Sequence, residues 1–193
     1  IMGASATTAT IVKAYGYVVE QKKLWYTSRG QKGANVVSTN SSFGVDNANC
    51  KNGEFPVWND LYEAMGQLGI LSAAATANNN VNVDQVGDVP TGCESNFIVA
   101  VTNTQQNDVK YPSAGYGLRS VDLGAPGTGI ISTLPGSSYG ALTGTSMATP
   151  HVAGAIGLLH HVASPMFYNK YMAKPAEGAL IMKAALLQGV DQL

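Results

Sequence analysis

Ser146 is the residue in this chain best placed to act as a nucleophile. It follows the turn-forming pair Gly144-Thr145 and opens the run Met147-Ala148-Thr149-Pro150-His151-Val152-Ala153-Gly154, whose small residues suit a buried helix. A serine at a helix start presents its hydroxyl and its own backbone N–H where unpaired donors and the positive end of the helix dipole favour negative charge. Acyl transfer uses that combination, because the attacked carbonyl oxygen becomes anionic. A serine here is otherwise an ordinary helix cap, so the chemistry needs further groups.

The first such group is a base, since a serine hydroxyl attacks poorly until its proton is removed. The chain has 3 histidines, His151, His160 and His161, and none precedes Ser146. Five residues of helix turn His151 through about 500° and carry it about 7.5 Å along the axis, so its ring belongs to another face. His160 and His161 lie roughly 21 Å or more along the same helix and read as surface or end-of-helix residues. No Asp, Glu, His and Cys set has zinc-ligand spacing. The base is expected from outside these residues.

The second group is a donor for the oxyanion. Asn78-Asn79-Asn80 follows the apolar segment 69–75. Asparagines after a strand are commonly turn formers, but one side-chain amide and the serine N–H together suffice to hold a developing oxyanion.

These residues must be positioned by a scaffold, and the periodicity supplies one. Ile11, Ala14, Tyr15, Val18 and Val19 form a helical stripe within residues 6–26, and Trp58, Leu61, Tyr62, Met65 and Leu68 form another, closed by Gly69. Residues 35–39, 69–75 and 97–102 read as buried strands, and 120–123 and 129–133 as short ones flanking Gly124-Ala125-Pro126-Gly127. Residues 146–162 and 176–188 read as helices. Gly154 and Gly157 in the first of these suggest close approach by neighbouring elements. Strands and helices in short alternation predict an α/β fold with a mostly parallel sheet and helices on both faces. Sites then form beyond the carboxyl ends of the strands, where residues 42–44 and 76–80 fall.

The eleven residues Gly144 to Gly154 resemble the nucleophile motif of the subtilisin-like serine peptidases (subtilases), with every fixed position filled. The resemblance covers essentially the whole chain and implies a three-layer subtilisin-like fold, present here only in part. It implies Ser146 as nucleophile and His151 as a structural position of the motif. Ala73 to Asn78 is similar to the family's oxyanion strand, with Ala77 where the family carries glycine. Asn78 is the implied oxyanion donor, and Asn79 and Asn80 are the alternatives. Ser42-Phe43-Gly44 resembles the edge that pairs with substrate backbone, as an added strand would. Ala75-Thr76-Ala77 would form the opposite wall of the primary specificity pocket, with small side chains that leave room for a bulky residue. Subtilases place an Asp and a His before the Ser; Asp46 and Asp60 follow the substrate-edge strand and cannot serve as that Asp. Residues 1–193 are therefore expected to be the C-terminal portion of a catalytic domain, with the upstream half as partner and a peptide or protein as substrate. The expected function is serine endopeptidase chemistry, the isolated chain being inactive. The alternative is a non-catalytic, subtilase-like peptide-binding module.

Composition narrows the remaining choices. Eleven basic against 12 acidic residues give a net charge of −1, which provides no basic field for nucleic acid and no polybasic run for a membrane surface. The longest apolar stretch, 152–167, is interrupted by His160, His161, Ser164 and Pro165 and is too short to span a bilayer. The first ten residues lack a charged n-region and apolar core, so no signal peptide is expected there. Cys50 and Cys93 each lie a few residues beyond a strand end, so they either flank one pocket as a disulfide, which suits a secreted or cell-envelope enzyme, or remain two free buried thiols. No cofactor or metal is expected. Subtilases often carry calcium, so a full domain is a place for it, but Asn82, Asp84 and Asp88 do not have EF-hand spacing. Asn40-Ser41-Ser42 matches a glycosylation sequon, and a glycan there would obstruct the substrate edge.

Overall fold

In the computed structural model, residues 7–50 and 54–191 are described. Ala6, the expected first residue of the leading helix, lies outside them. The elements are α1 (Thr8–Thr27), β1 (Ser38–Ser41), β2 (Val45–Asp46), α2 (Pro56–Gln67), β3 (Leu71–Ala75), α3 (Val83–Val86), β4 (Asp88–Val89) and β5 (Ile98–Thr104). They continue with β6 (Leu123–Pro126), β7 (Ile130–Leu134), β8 (Ser138–Leu142), α4 (Thr145–Val162), α5 (Pro165–Ala173) and α6 (Pro175–Gln188).

Four strands form a parallel sheet in the order β1-β3-β5-β6. Side chains alternate between the two faces of a strand, and that alternation builds two cores. Leu71, Ala73, Val99, Val101, Leu123 and Ala125 meet Ala148, Val152 and Ile156 of α4 and Ala179 and Met182 of α6. Ile70, Ala74 and Ile98 point the other way, onto Ile11 and Tyr15 of α1 and Trp58, Tyr62 and Met65 of α2. The result is a three-layer α/β arrangement with both sheet faces covered, as buried parallel strands require.

The structure amends several expectations. Residues 120–122 are not a strand; the Gly124-Ala125-Pro126 segment is itself most of β6, and its proline is tolerated because it ends a strand at the sheet edge. Residues 130–142 form an antiparallel hairpin, β7–β8, which lies outside the main sheet. An additional helix, α5, starts at Pro165 with Ser164 capping the N–H of Phe167 at 3.2 Å. A Cβ added at Gly154 or Gly157 would meet nothing within 4 Å, so close packing does not explain those glycines. His160 sits in the last turn of α4, as an end-of-helix residue, and is half-buried: its ring lies edge-on to Tyr171, with centroids 4.9 Å apart, and its Nε2 is buried.

Candidate active site

Ser146 is the second residue of α4, and the turn before it is tightly held. The Gly144 N–H donates to Gly127 O at 2.9 Å. A side chain at Gly127 would collide with both Asn103 Oδ1 and the Gly144 carbonyl, so only glycine permits that approach. Thr145 Oγ1 donates to Thr76 O at 2.6 Å, fastening the start of α4 to the end of β3.

The first-turn N–H groups of α4 are divided in a way that bears on chemistry. The Thr145 N–H donates to Asn78 Oδ1 at 3.0 Å, and the Met147 and Ala148 N–H groups both donate to Gly144 O. The Ser146 N–H has no partner among the described residues. Anchoring Asn78 through its oxygen also fixes the orientation of its amide and leaves Nδ2 as an available donor. Two donors, one backbone and one side chain, thus meet at the start of a helix whose dipole favours an anion.

Pro150 lies inside α4 and has no N–H to give the carbonyl four residues back. That carbonyl belongs to Ser146, and Ser42 Oγ donates to it at 2.9 Å. Ser42 therefore braces the first turn of α4 as well as standing at the end of β1. Phe43 and Gly44 follow, and a Cβ at Gly44 would strike the Val89 carbonyl.

Phe43, Gly44, Ala75, Thr76, Ala77, Asn78 and Ser146 line one cavity of about 190 Å3, which the sequence had suggested as a specificity pocket. Thr145, Asn79, Asp46 and Asp88 also line it, and the two carboxylates were not foreseen as pocket residues. The Asp88 carboxyl is raised to about 6, chiefly by burial, with Asp46 adding like charge. A second cleft, about 350 Å3, opens beside Ser146 between Ile130, Ile131, Ser132, Met147, Pro150 and His151.

His151 Nδ1 lies 2.9 Å from Met147 O on the exposed side of α4. Asn79 is 3.4 Å from Asp46, and Asn80 Oδ1 accepts from Lys110 Nζ at 3.1 Å, so of the three it is Asn78 that holds the start of α4. Cys50 and Cys93 are joined as a disulfide, with Cα atoms 4.9 Å apart. Asn82 Oδ1 caps α3 by accepting the Asp84 N–H, while Asp84 accepts the N–H groups of Arg119 and Ser120. Among the described residues no three His, Cys, Asp or Glu side chains gather as a metal site, and no helix is long and apolar enough to cross a membrane.

Fold and site together define an α/β protein with a serine at a helix N-terminus over the carboxyl end of a parallel sheet. The family model described as the subtilase family matches residues 3–192, and the chain belongs to that family. It is 36% identical over 135 residues to subtilisin-like protease 10 of Trichophyton verrucosum, covering 67% of this chain and 24% of that protein. It is 38% identical over 133 residues to thermitase of Thermoactinomyces vulgaris, covering 69% and 43%. Subtilisin E of Bacillus subtilis is 45% identical over 93 residues, covering 47% and 23%. The chain thus spans less than half the length of these curated relatives. A crystal structure of a cold adapted subtilisin-like serine proteinase matches with a TM-score of 0.65 at 23% identity, covering 94% of this chain and 56% of that one, and shares the fold.

Proposed function

We propose that this chain is the nucleophile-bearing, C-terminal portion of a serine endopeptidase catalytic domain. Ser146 attacks the peptide carbonyl to form an acyl-enzyme, and the Ser146 N–H and Asn78 Nδ2 hold the oxyanion. The observation that carries this reading is the division of donors at the start of α4. Every first-turn N–H of residues 145–148 is occupied except that of Ser146, and Asn78 is tethered so that its amide faces outward.

The base and its orienting carboxylate come from an upstream segment, because none of the three histidines is placed to take the Ser146 proton. His151 is bound to Met147 O, and His160 is wedged against Tyr171. The cleft between the β7 strand and the first turns of α4 is the open approach to Ser146 for that base. The segment Ser42 to Gly44 supplies the strand edge against which a peptide substrate lies. The disulfide fits an extracytoplasmic location.

Labelling with a fluorophosphonate tests the reading. The 193-residue chain alone should label poorly, since its hydroxyl is unactivated. A protein extended upstream to include an Asp and a His should label at Ser146 and hydrolyse peptides, and Ser146→Ala should abolish both. Strong labelling of the chain alone would mean an internal base and would refute the division of labour. Peptide binding without turnover in the extended protein would favour the non-catalytic module.

A further inference from the structure

The cavity beside Ser146 carries negative charge that no described residue neutralises. Asp46 and Asp88 are directly opposite each other in the antiparallel pairing of β2 with β4. Facing residues in such a pair hold their Cβ atoms about 4.5–5.5 Å apart, and like charges there repel. Among the described residues, no Lys, Arg or His lines the cavity. Asp88 is 1% exposed, and its neighbours the Thr91 hydroxyl and the Ala77 N–H donate to it without bringing charge. Thr76, which also lines the cavity and is 3% exposed, has a hydroxyl with no hydrogen-bond partner among the described residues. A buried carboxylate without a cation and a buried hydroxyl without a partner are both unfavourable unless something enters to meet them.

We infer that this cavity receives the cationic end of a substrate lysine or arginine, the residue immediately before the bond that Ser146 attacks, with Asp88 as its counter-charge. Asp46 adds a second carboxylate at the exposed side, and Thr76 offers its hydroxyl. The inference rests on the reading of Ser146 as the nucleophile. The small walls Ala75 and Ala77 and the ring of Phe43 suit the apolar stem of such a side chain, while its charged head meets the carboxylates. An apolar side chain of similar size would leave Asp88 without a counter-charge. A hard metal ion fits less well, because calcium takes six to eight oxygen ligands and the cavity offers two carboxylates.

The test compares benzamidine, a planar cation, with benzamide, its neutral analogue, binding to the 193-residue chain at pH 8. Amide signals of Ala77, Asp88 and Ser146 followed by NMR report occupancy. Benzamidine should bind about tenfold or more tightly, as a hydrogen bond to a charged partner implies. Asp88→Asn should bring the two ligands close to parity, while Asp46→Asn should keep most of the preference. Equal binding to the unmodified chain overturns the inference without recourse to any variant, and so does a preference that survives Asp88→Asn. In the extended, active protein, peptides cleaved after Lys or Arg should be preferred about tenfold or more over those cleaved after Leu or Phe. An active enzyme indifferent to that choice overturns the inference and leaves the peptidase reading standing. An inactive extended protein whose cavity still selects benzamidine overturns the peptidase reading, and with it the substrate role assigned to the cavity.

Discussion

At the scale of single residues, the site divides into groups that act on charge and groups that hold them in place. Asn78 does both, accepting from the Thr145 N–H through Oδ1 and presenting Nδ2. In the extended peptidase, Asn78→Ala should lower kcat by about 10²–10³-fold with KM little changed, because the lost bond forms only in the transition state. Steady-state kinetics on one peptide decide it, and a loss confined to KM would argue against the role. Asp88 illustrates the opposite relation between stability and function. Its carboxyl is raised to about 6 in the folded chain, above its ordinary value near 3.8, chiefly by burial. Folding therefore favours the protonated form. The contribution is present below pH 4 and is lost as pH rises through 6. Asp88→Asn should accordingly gain stability relative to the parent between pH 4 and pH 7, read as a growing difference in Tm. A parent that gains on the variant over that range would show that Asp88 is paired in the free protein. A site residue that costs stability when empty is expected where a ligand is to supply the missing partner.

At the scale of elements, the turn at Ser146 depends on an exchange of hydrogen bonds between α4 and β1. Pro150 withdraws the N–H that would have served the Ser146 carbonyl, and Ser42 supplies a hydroxyl instead. Ser42→Ala should destabilise the chain by about 1 kcal/mol, the cost of a partly buried carbonyl left unpaired. Pro150→Ala restores an N–H at the right place, so the double variant should recover most of that loss. A double-mutant cycle by urea unfolding measures the coupling, and strict additivity would show that the two residues act independently. This exchange was hidden in the sequence, because it joins residues far apart in the chain. The helical stripes at Ile11–Val19 and Trp58–Leu68 and the buried runs of β3 and β5 were legible, since each buries a face with its own period. The β7–β8 hairpin escaped in part because both strands are mostly exposed and leave no alternation to read. β6 was misplaced because Gly124 and Pro126 look like turn residues, yet they sit on an edge strand. Asp88 stood out in the sequence only for lacking EF-hand spacing, and it is the long-range pairing of β4 with β2 that places it against Asp46.

At the scale of the whole molecule, the two layers outside the sheet are also joined to each other. Lys22 of α1 is fully buried and donates to Asn35 Oδ1 and to the Tyr171 hydroxyl of α5, which in turn donates to Gly69 O. Burial lowers the Lys22 ammonium to about 7, although the rings of Trp25, Tyr26 and Tyr171 stand 5.0–5.4 Å from Nζ and favour the cation. The unfolded chain then holds this proton more tightly than the folded one, so stability should rise with pH from about 7 toward 10. Lys22→Met should flatten that rise, and Tm measured across the range for both proteins checks it; parallel curves would show that the rings keep Lys22 charged. The border strand β1 is also tied to the start of α4. β1 borders the sheet with β3 on one side, and Ser42 at its end grips the carbonyl of the very serine that opens α4. Whatever shifts the end of β1 is passed to Ser146 through a single hydroxyl, although 104 residues of chain separate the two.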